Sequence, residues 1–265
     1  GPAEQDLGGR LREVVALVGL SAGGGTALRS GLVIGDQGRA VVAQTASGGF
    51  SVQGGTTLGR ATSGDGTWEL RADLVRVDGA LVVGGQGRGR LTMGPSAGLA
   101  LDGQAVLGQG AGSDGRLDLA SAQFSGTAGM VVGAGGAGSL RLRQGATFTL
   151  AGDLAFGSLA GATGTGQFDA GAAARVGGSL HLGVAGQGSL VLQALQPTGG
   201  GTPYQVLGDM VLGKDAGAAG RLTVLGTDAA ATALEVGGSV TVGAFGSGVV
   251  THTGGQVGIG GDLLL

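Results

Sequence analysis

The chain has 265 residues, of which 65 are glycine, none is cysteine and 12% are charged. Glycine is therefore more than three times as frequent as usual, but four prolines and the lack of a three-residue glycine period exclude collagen. Hydrophobic residues at 42% exclude a disordered chain, the absence of cysteine excludes disulfides and thiolate metal sites, and a net charge of −3 gives no reason to expect nucleic acid as a partner.

The N-terminal segment, residues 1–30, does not follow the pattern of the rest. Gly1 and Pro2 have the form of the remnant of a cleaved tag, and Gly19 lies too close to Gly35, the first regularly spaced glycine, to be one repeat away from it. We therefore expect residues 1–30 to hold a tag remnant and an irregular first turn or cap. Residues 31–265 are expected to form one repeat region that stops in the middle of a turn.

One element recurs along this repeat region: an apolar residue, any residue, an apolar residue and then glycine. Alternation of this kind predicts a short strand, here called the motif strand, whose first and third residues face inward. The spacing of the glycines is nearly constant along the chain and is longer only in the last two intervals. These motif glycines are Gly35, Gly59, Gly84, Gly108, Gly133, Gly157, Gly183, Gly213 and Gly243.

Two further strands complete each repeat. A corner strand precedes each motif strand and is joined to it by three residues, the middle one being glycine in eight of ten copies. We expect a positive φ at that glycine, because a sharp corner requires it. A third strand follows each motif glycine after a short gap of variable length, with inward pairs such as Leu91/Met93 and Phe168/Ala170.

A unit of about 25 residues cannot bury its own apolar face, so successive units must stack with like strands in parallel. The prediction is an all-β, single-stranded parallel β-helix of about ten turns, each with three short strands. We expect a right-handed solenoid, because parallel crossover connections are almost always right-handed. Leucine-rich repeats need an asparagine in each unit, which this chain lacks, and propeller blades need longer repeats.

The tandem pattern resembles the passenger-associated transport repeat of Gram-negative autotransporters, the type V secretion family. Residues 178–192 (GSLHLGVAGQGSLVL) and 208–213 (GDMVLG) carry the resemblance, which extends from about residue 31 to 265, although the asparagine common in such repeats is missing. The resemblance implies a cell-surface or secreted passenger domain tethered to an outer-membrane β-barrel translocator. It also implies a role in adhesion, self-association or display, with a second copy, a host surface protein or a glycan as partner.

The motifs that suggest catalysis have simpler explanations in a chain so rich in glycine. Gly-x-Ser-x-Gly occurs at residues 19–23 and 94–98, and dinucleotide-type glycine patterns occur at 110–115 and 133–138, but none stands between a predicted strand and a helix. His181 and His252 lie on different strands without neighbouring ligands, and we expect both to face outward. We therefore predict no enzyme activity, no metal site and no cofactor.

A polysaccharide-binding or polysaccharide-processing β-helix is the alternative. Acidic residues are dispersed and Lys214 is the only lysine, but Asp118, Arg141 and Asp169 are expected to form an acid–base–acid ladder on successive third strands. A groove with clustered acids and arginines on one face would favour this alternative. A uniform surface of low charge would favour adhesion or self-association.

Two features are candidates for partner binding. The outward residues of successive motif strands carry no charge and are rich in valine, which predicts an interaction stripe that includes Val82, Val106, Val131, His181 and Val211. Two longer repeats also predict adjacent protruding loops. The loop residues that we single out are Pro197, Thr198, Pro203, Thr227 and Asp228.

Overall fold

The computed structural model describes residues 13–15, 26–44, 49–71, 74–194, 202–226 and 232–265, and these residues form strands and turns without a helix. The first strands are β1 (Glu13–Val15), β2 (Thr26–Leu28), β3 (Leu32–Ile34), β4 (Arg39–Gln44), β5 (Phe50–Val52), β6 (Thr56–Leu58), β7 (Asp65–Leu70), β8 (Leu74–Val77), β9 (Leu81–Val83), β10 (Arg88–Met93), β11 (Gly98–Leu101), β12 (Ala105–Leu107), β13 (Asp114–Leu119), β14 (Gln123–Gly126) and β15 (Met130–Val132). The remaining strands are β16 (Ala137–Leu142), β17 (Thr147–Leu150), β18 (Leu154–Phe156), β19 (Thr163–Phe168), β20 (Ala173–Val176), β21 (Leu180–Leu182), β22 (Gln187–Ala194), β23 (Tyr204–Val206), β24 (Met210–Leu212), β25 (Ala219–Gly226), β26 (Thr232–Val236), β27 (Val240–Val242), β28 (Ser247–Thr253), β29 (Gln256–Ile259) and β30 (Leu263–Leu264).

Every third strand along the chain belongs to the same sheet. In the described part of the chain, β3 to β30 form a ten-stranded motif sheet, β2 to β29 a ten-stranded corner sheet, and β1 to β28 a ten-stranded third-strand sheet. All pairings are parallel, for example β9 with β12 and β12 with β15. The predicted β-solenoid with three strands per turn is therefore confirmed.

The N-terminal segment already contributes to this arrangement. Strand β1 pairs with β4 and strand β2 with β5, in the region where we expected an irregular turn or cap. The described ranges contain no helix of the length and apolar character that a membrane span requires.

The core is a column of inward residues that runs along the solenoid. In the motif strands of the central turns the first and third residues are buried and the second is partly exposed, as Leu81, Val82 and Val83 illustrate. The same alternation holds in β12, β15, β18, β21 and β24. The predicted phase of the motif strands is therefore confirmed.

The positive φ that we predicted for the corner glycines is wrong. The positive φ occurs at the motif glycines, with values from 64° to 74°, and not at corner glycines such as Gly103 and Gly152. The corner glycines are needed for close approach instead. A Cβ on Gly103 would lie 2.5 Å from the backbone of Gly79, the corner glycine of the preceding turn.

A third set of glycines, on the third strands, was not predicted from the sequence. The second residue of the third strand faces inward and is glycine in eight successive strands. A Cβ on Gly138, for example, would lie 2.0 Å from the backbone nitrogen of Gly133. These positions are Gly66, Gly89, Gly115, Gly138, Gly164, Gly188, Gly220 and Gly248.

The register of one third strand differs from our prediction. Strand β19 pairs with β16 so that Gly166 lies beside Leu140 and Phe168 beside Leu142. The inward pair is therefore Gly166/Phe168 and not Phe168/Ala170. The prediction failed because the inward position next to Phe156 holds a glycine, whose missing side chain leaves no apolar signal.

His252 was expected to face outward, and this is wrong. His252 lies beside the buried Val224 in register, so it occupies the inward row of β28, although its side chain is exposed in the last described turn. Its Nε2 lies 3.0 Å from the carbonyl oxygen of Gly255.

Candidate interaction surfaces

The motif sheet brings the predicted valine residues into one column. Val82, Val106 and Val131 are direct lateral neighbours on β9, β12 and β15. His181 and Val211 are neighbours on β21 and β24, and Ala155 on β18 stands between the two groups. We call Val82, Val106, Val131, His181 and Val211 the valine stripe, and all five side chains are partly exposed.

The shortness of the motif strands makes this face narrow. A three-residue strand with two inward residues presents one outward side chain per turn, so the stripe is one residue wide. Its charged border lies on the corner side, where Arg76 forms ion pairs with both Asp78 and Asp102. The uncharged column therefore has a charged margin that can limit how a partner is placed against it.

His181 adds no charge to the stripe at neutral pH. Burial of the imidazole is the main cause that lowers its pKa, and the positive charge of Lys214 adds to it, whereas Asp153 and Asp209 oppose the shift. The Nδ1 atom of His181 is buried, and no residue in the described part of the chain forms a hydrogen bond with it. The neutral imidazole thus behaves as part of the apolar column.

A ladder of aspartate and serine side chains lies beside the stripe in its last turns. The backbone N–H of Ser179 donates to Asp153 Oδ1 at 2.7 Å, and that of Asp209 donates to Ser179 Oγ at 3.2 Å. The N–H of Ser239 donates to Asp209 Oδ1 at 2.8 Å, and that of Asp262 donates to Ser239 Oγ at 3.1 Å. Sequence reasoning missed this ladder, although aspartate and serine alternate at the last corner position.

Of the predicted loop residues, only Pro203 lies within the described part of the chain. Pro203 is buried, and its carbonyl oxygen accepts a hydrogen bond from the backbone of Ala174 at 2.9 Å. It therefore belongs to the wall of the solenoid and does not protrude. The other four residues fall outside the described ranges; these are Pro197, Thr198, Thr227 and Asp228.

The predicted acid–base–acid ladder is only half present. Arg141 contacts Asp169, with 3.0 Å between Nη2 and Oδ2, whereas Asp118 contacts Arg143, with 2.6 Å between the corresponding atoms. The lateral neighbour of Arg141 on β19 is Gln167 and not Asp169. The two ion pairs are therefore separate, and Arg143 is a partner that sequence reasoning missed.

The serine of the second Gly-x-Ser-x-Gly string lies in a turn between two strands. Ser96 is exposed and has a φ of 66°. Ser121, Gly145 and Gly171 also have positive φ values, in the same bend of the next three turns. The backbone conformation thus belongs to the repeat and is not special to this serine. The first string, at residues 19–23, lies outside the described part of the chain.

Within the described ranges, no group of three or more His, Asp or Glu side chains is arranged to hold a metal ion. Comparison with known proteins found no matching family model, no similar curated protein and no similar solved structure.

Proposed function

We propose that this chain is a structural solenoid segment that associates with a second copy of itself through the valine stripe. The observation that carries the proposal is the register of Val82, Val106 and Val131, which places uncharged, β-branched side chains side by side on one face. Exposed apolar surface that is contiguous over several turns is typical of surfaces that meet another protein. Two such faces can pack without burying an unpaired charge.

The dimensions of the motif sheet are sufficient for such a contact. Ten parallel strands at a spacing of about 4.8 Å give a face of roughly 43 Å in length. Association of two copies by the same surface is the commonest form of homodimer, since one patch then serves both partners. Because the stripe is only one residue wide, we expect a weak dimer with a dissociation constant of about 10 μM or above.

A charge placed within the stripe tests the proposal. Val106→Glu should abolish association in sedimentation velocity experiments, because the contact would bury an unpaired carboxylate. Ala100→Glu is the matched control, since Ala100 is the partly exposed, outward residue of the neighbouring strand β11 on the corner sheet. A wild-type chain that is monomeric at millimolar concentration would contradict the proposal, as would equal effects of the two variants.

We also propose that the chain is a passenger domain that acts at the cell surface or after secretion, tethered to or released from an outer-membrane translocator. The tandem repeat pattern supports this proposal, and self-association of such a segment on neighbouring cells would provide adhesion. In the organism that encodes the chain, antibodies against it should label intact cells. Labelling that appears only after the cells are lysed would contradict the proposed location.

A further inference from the structure

The third-strand sheet has a trough on its outer face, away from the valine stripe. It has a volume of about 290 Å³ and crosses strands β19, β22, β25 and β28. Thr163, Gln187 and Ser247 line one side, and Thr165, Ser189 and Arg221 line the other. The backbone of the inward glycines on β19, β22 and β25 lies between the two rows and forms the floor.

The trough lies where most of the outward side chains are short. The same two outward rows carry Arg88 and Arg90 on β10, and Asp114 and Arg116 on β13, where long or charged groups cover the surface. From β19 onward the rows hold mostly hydroxyl and amide side chains. Because its lining comes from four successive strands of one sheet, the trough runs along the axis of the solenoid.

The lining is mixed: Ala219 and Val249 add apolar surface to the hydroxyl and amide side chains, and Arg221 supplies one positive charge. Hydroxyl and amide groups both donate and accept hydrogen bonds, which is what the hydroxyl groups of a sugar require. Arg221 is exposed, and no carboxylate of the described residues lies within ion-pair distance of its guanidinium. A guanidinium binds a carboxylate with two parallel hydrogen bonds, which adds strength and orientation.

The repeat distance of the trough also fits a sugar polymer. Equivalent side chains recur about every 4.8 Å along the axis, close to the advance of one hexose unit in an extended chain. The lining has no aromatic side chain, so a neutral sugar could not gain stacking energy there. The carboxylate of an acidic sugar can supply the missing affinity through Arg221.

We propose that this trough binds an acidic polysaccharide, a polymer of uronic acid units, laid along the solenoid axis with one carboxylate on Arg221. About three or four sugar units span the four strands at this spacing. The site lies on a different sheet from the valine stripe. Binding therefore goes beyond the proposed self-association and can be tested in a variant that does not associate.

The experiment is a titration of the Val106→Glu chain with short oligogalacturonate, followed by isothermal titration calorimetry and by NMR. We expect saturable binding with a dissociation constant of about 0.1 to 1 mM. The methyl-esterified oligomer, which keeps the hydroxyl groups and lacks the negative charge, should bind at least about tenfold more weakly. Because no dimer is needed, the result is independent of the proposed self-association.

Two variants locate the site. Arg221→Gln should weaken binding at least about tenfold, and Ser189→Phe should block it by filling the trough. Arg175→Gln is the matched control, because Arg175 lies on the corner sheet and contacts Gln205 there. Three results would each overturn the proposal. These are failure of the unesterified oligogalacturonate to bind, equal losses in Arg221→Gln and Arg175→Gln, and binding of the methyl ester that is as strong as that of the free acid.

Discussion

Arg141 donates a hydrogen bond to Asp169 on the next turn, and not to Asp118, which is its direct lateral neighbour in the third-strand sheet. The carboxylate of Asp169 also accepts a hydrogen bond from Gln167, the lateral neighbour of Arg141 on the next strand. Asp118 is bound by Arg143 instead. The charges on this face thus pair diagonally, and each arginine serves the carboxylate that its side chain can reach.

The diagonal pair should contribute little to stability. Both side chains are partly open to solvent, with 41% of Arg141 and 21% of Asp169 exposed, so water screens their attraction. Arg141→Gln should lower the free energy of unfolding by less than about 1 kcal/mol, measured by urea denaturation. Leu140→Ala, at the buried neighbouring position, should cost about 2 to 5 kcal/mol. Similar losses in the two variants would contradict this ranking.

The inward glycines of the third strands should tolerate no side chain. A Cβ on Gly138 would meet the backbone nitrogen of Gly133 at 2.0 Å, so Gly138→Ala should prevent the turn from closing and cost more than about 3 kcal/mol. Gly161→Ala is the comparison, because Gly161 has a φ of 80° but open space around it. That variant should lose only about 1 to 2 kcal/mol from backbone strain. Thermal denaturation of both variants tests the difference, and a mild effect of Gly138→Ala would contradict the packing described for it.

Ser96 offers a stabilising substitution. Its φ of 66° strains any residue with a Cβ, and the equivalent positions two and three turns later are Gly145 and Gly171. Ser96→Gly removes the strain of roughly 1 to 2 kcal/mol and adds a smaller entropic cost in the unfolded chain. We expect a higher melting temperature in calorimetry. A lower melting temperature would show that the serine contributes a contact that outweighs the strain.

His181 should make stability depend on pH in the weakly acidic range. Burial and Lys214 lower its pKa in the folded chain, so below its ordinary value near 6.5 the unfolded chain binds more protons than the folded one. The contribution of His181 to stability is therefore complete above that pH and declines as the pH falls towards the lower folded pKa. Chemical denaturation between pH 8 and pH 5 should show a smaller decline for His181→Gln. Identical pH profiles would contradict the lowered pKa.

The sequence predicted the parts of the fold in which each position has one dominant requirement. Each motif strand ends at a glycine with positive φ, so the spacing and phase of these strands could be predicted. Leu81, Val83 and their equivalents are buried as expected. The third strand β19 was misplaced because Gly166 replaces an apolar residue at an inward position. A better signal was present in the inward glycine that follows every motif glycine from Gly59 onward at a short distance, as Gly138 follows Gly133.

The sequence predicted the contacts on the surface less well than the residues of the core. Membership of the valine stripe followed from the phase of the motif strands alone, whereas the partners of Asp118 and Asp169 depend on how far each arginine side chain reaches beyond its strand. The trough beside Arg221 could not be found from sequence, because it depends on the registers of four third strands separated by gaps of variable length. Turn length therefore limits prediction on the third-strand sheet more than on the motif sheet.

The most direct test of self-association uses the absence of cysteine from the chain. Val131 lies near the middle of the outward column, where two copies related by a twofold axis would meet. A Val131→Cys variant should form a disulfide-linked dimer rapidly under mild oxidation, while Ala100→Cys, on the corner sheet, should remain largely monomeric on a non-reducing gel. Equal and slow cross-linking of the two variants would contradict the proposal that the valine stripe is the contact between copies.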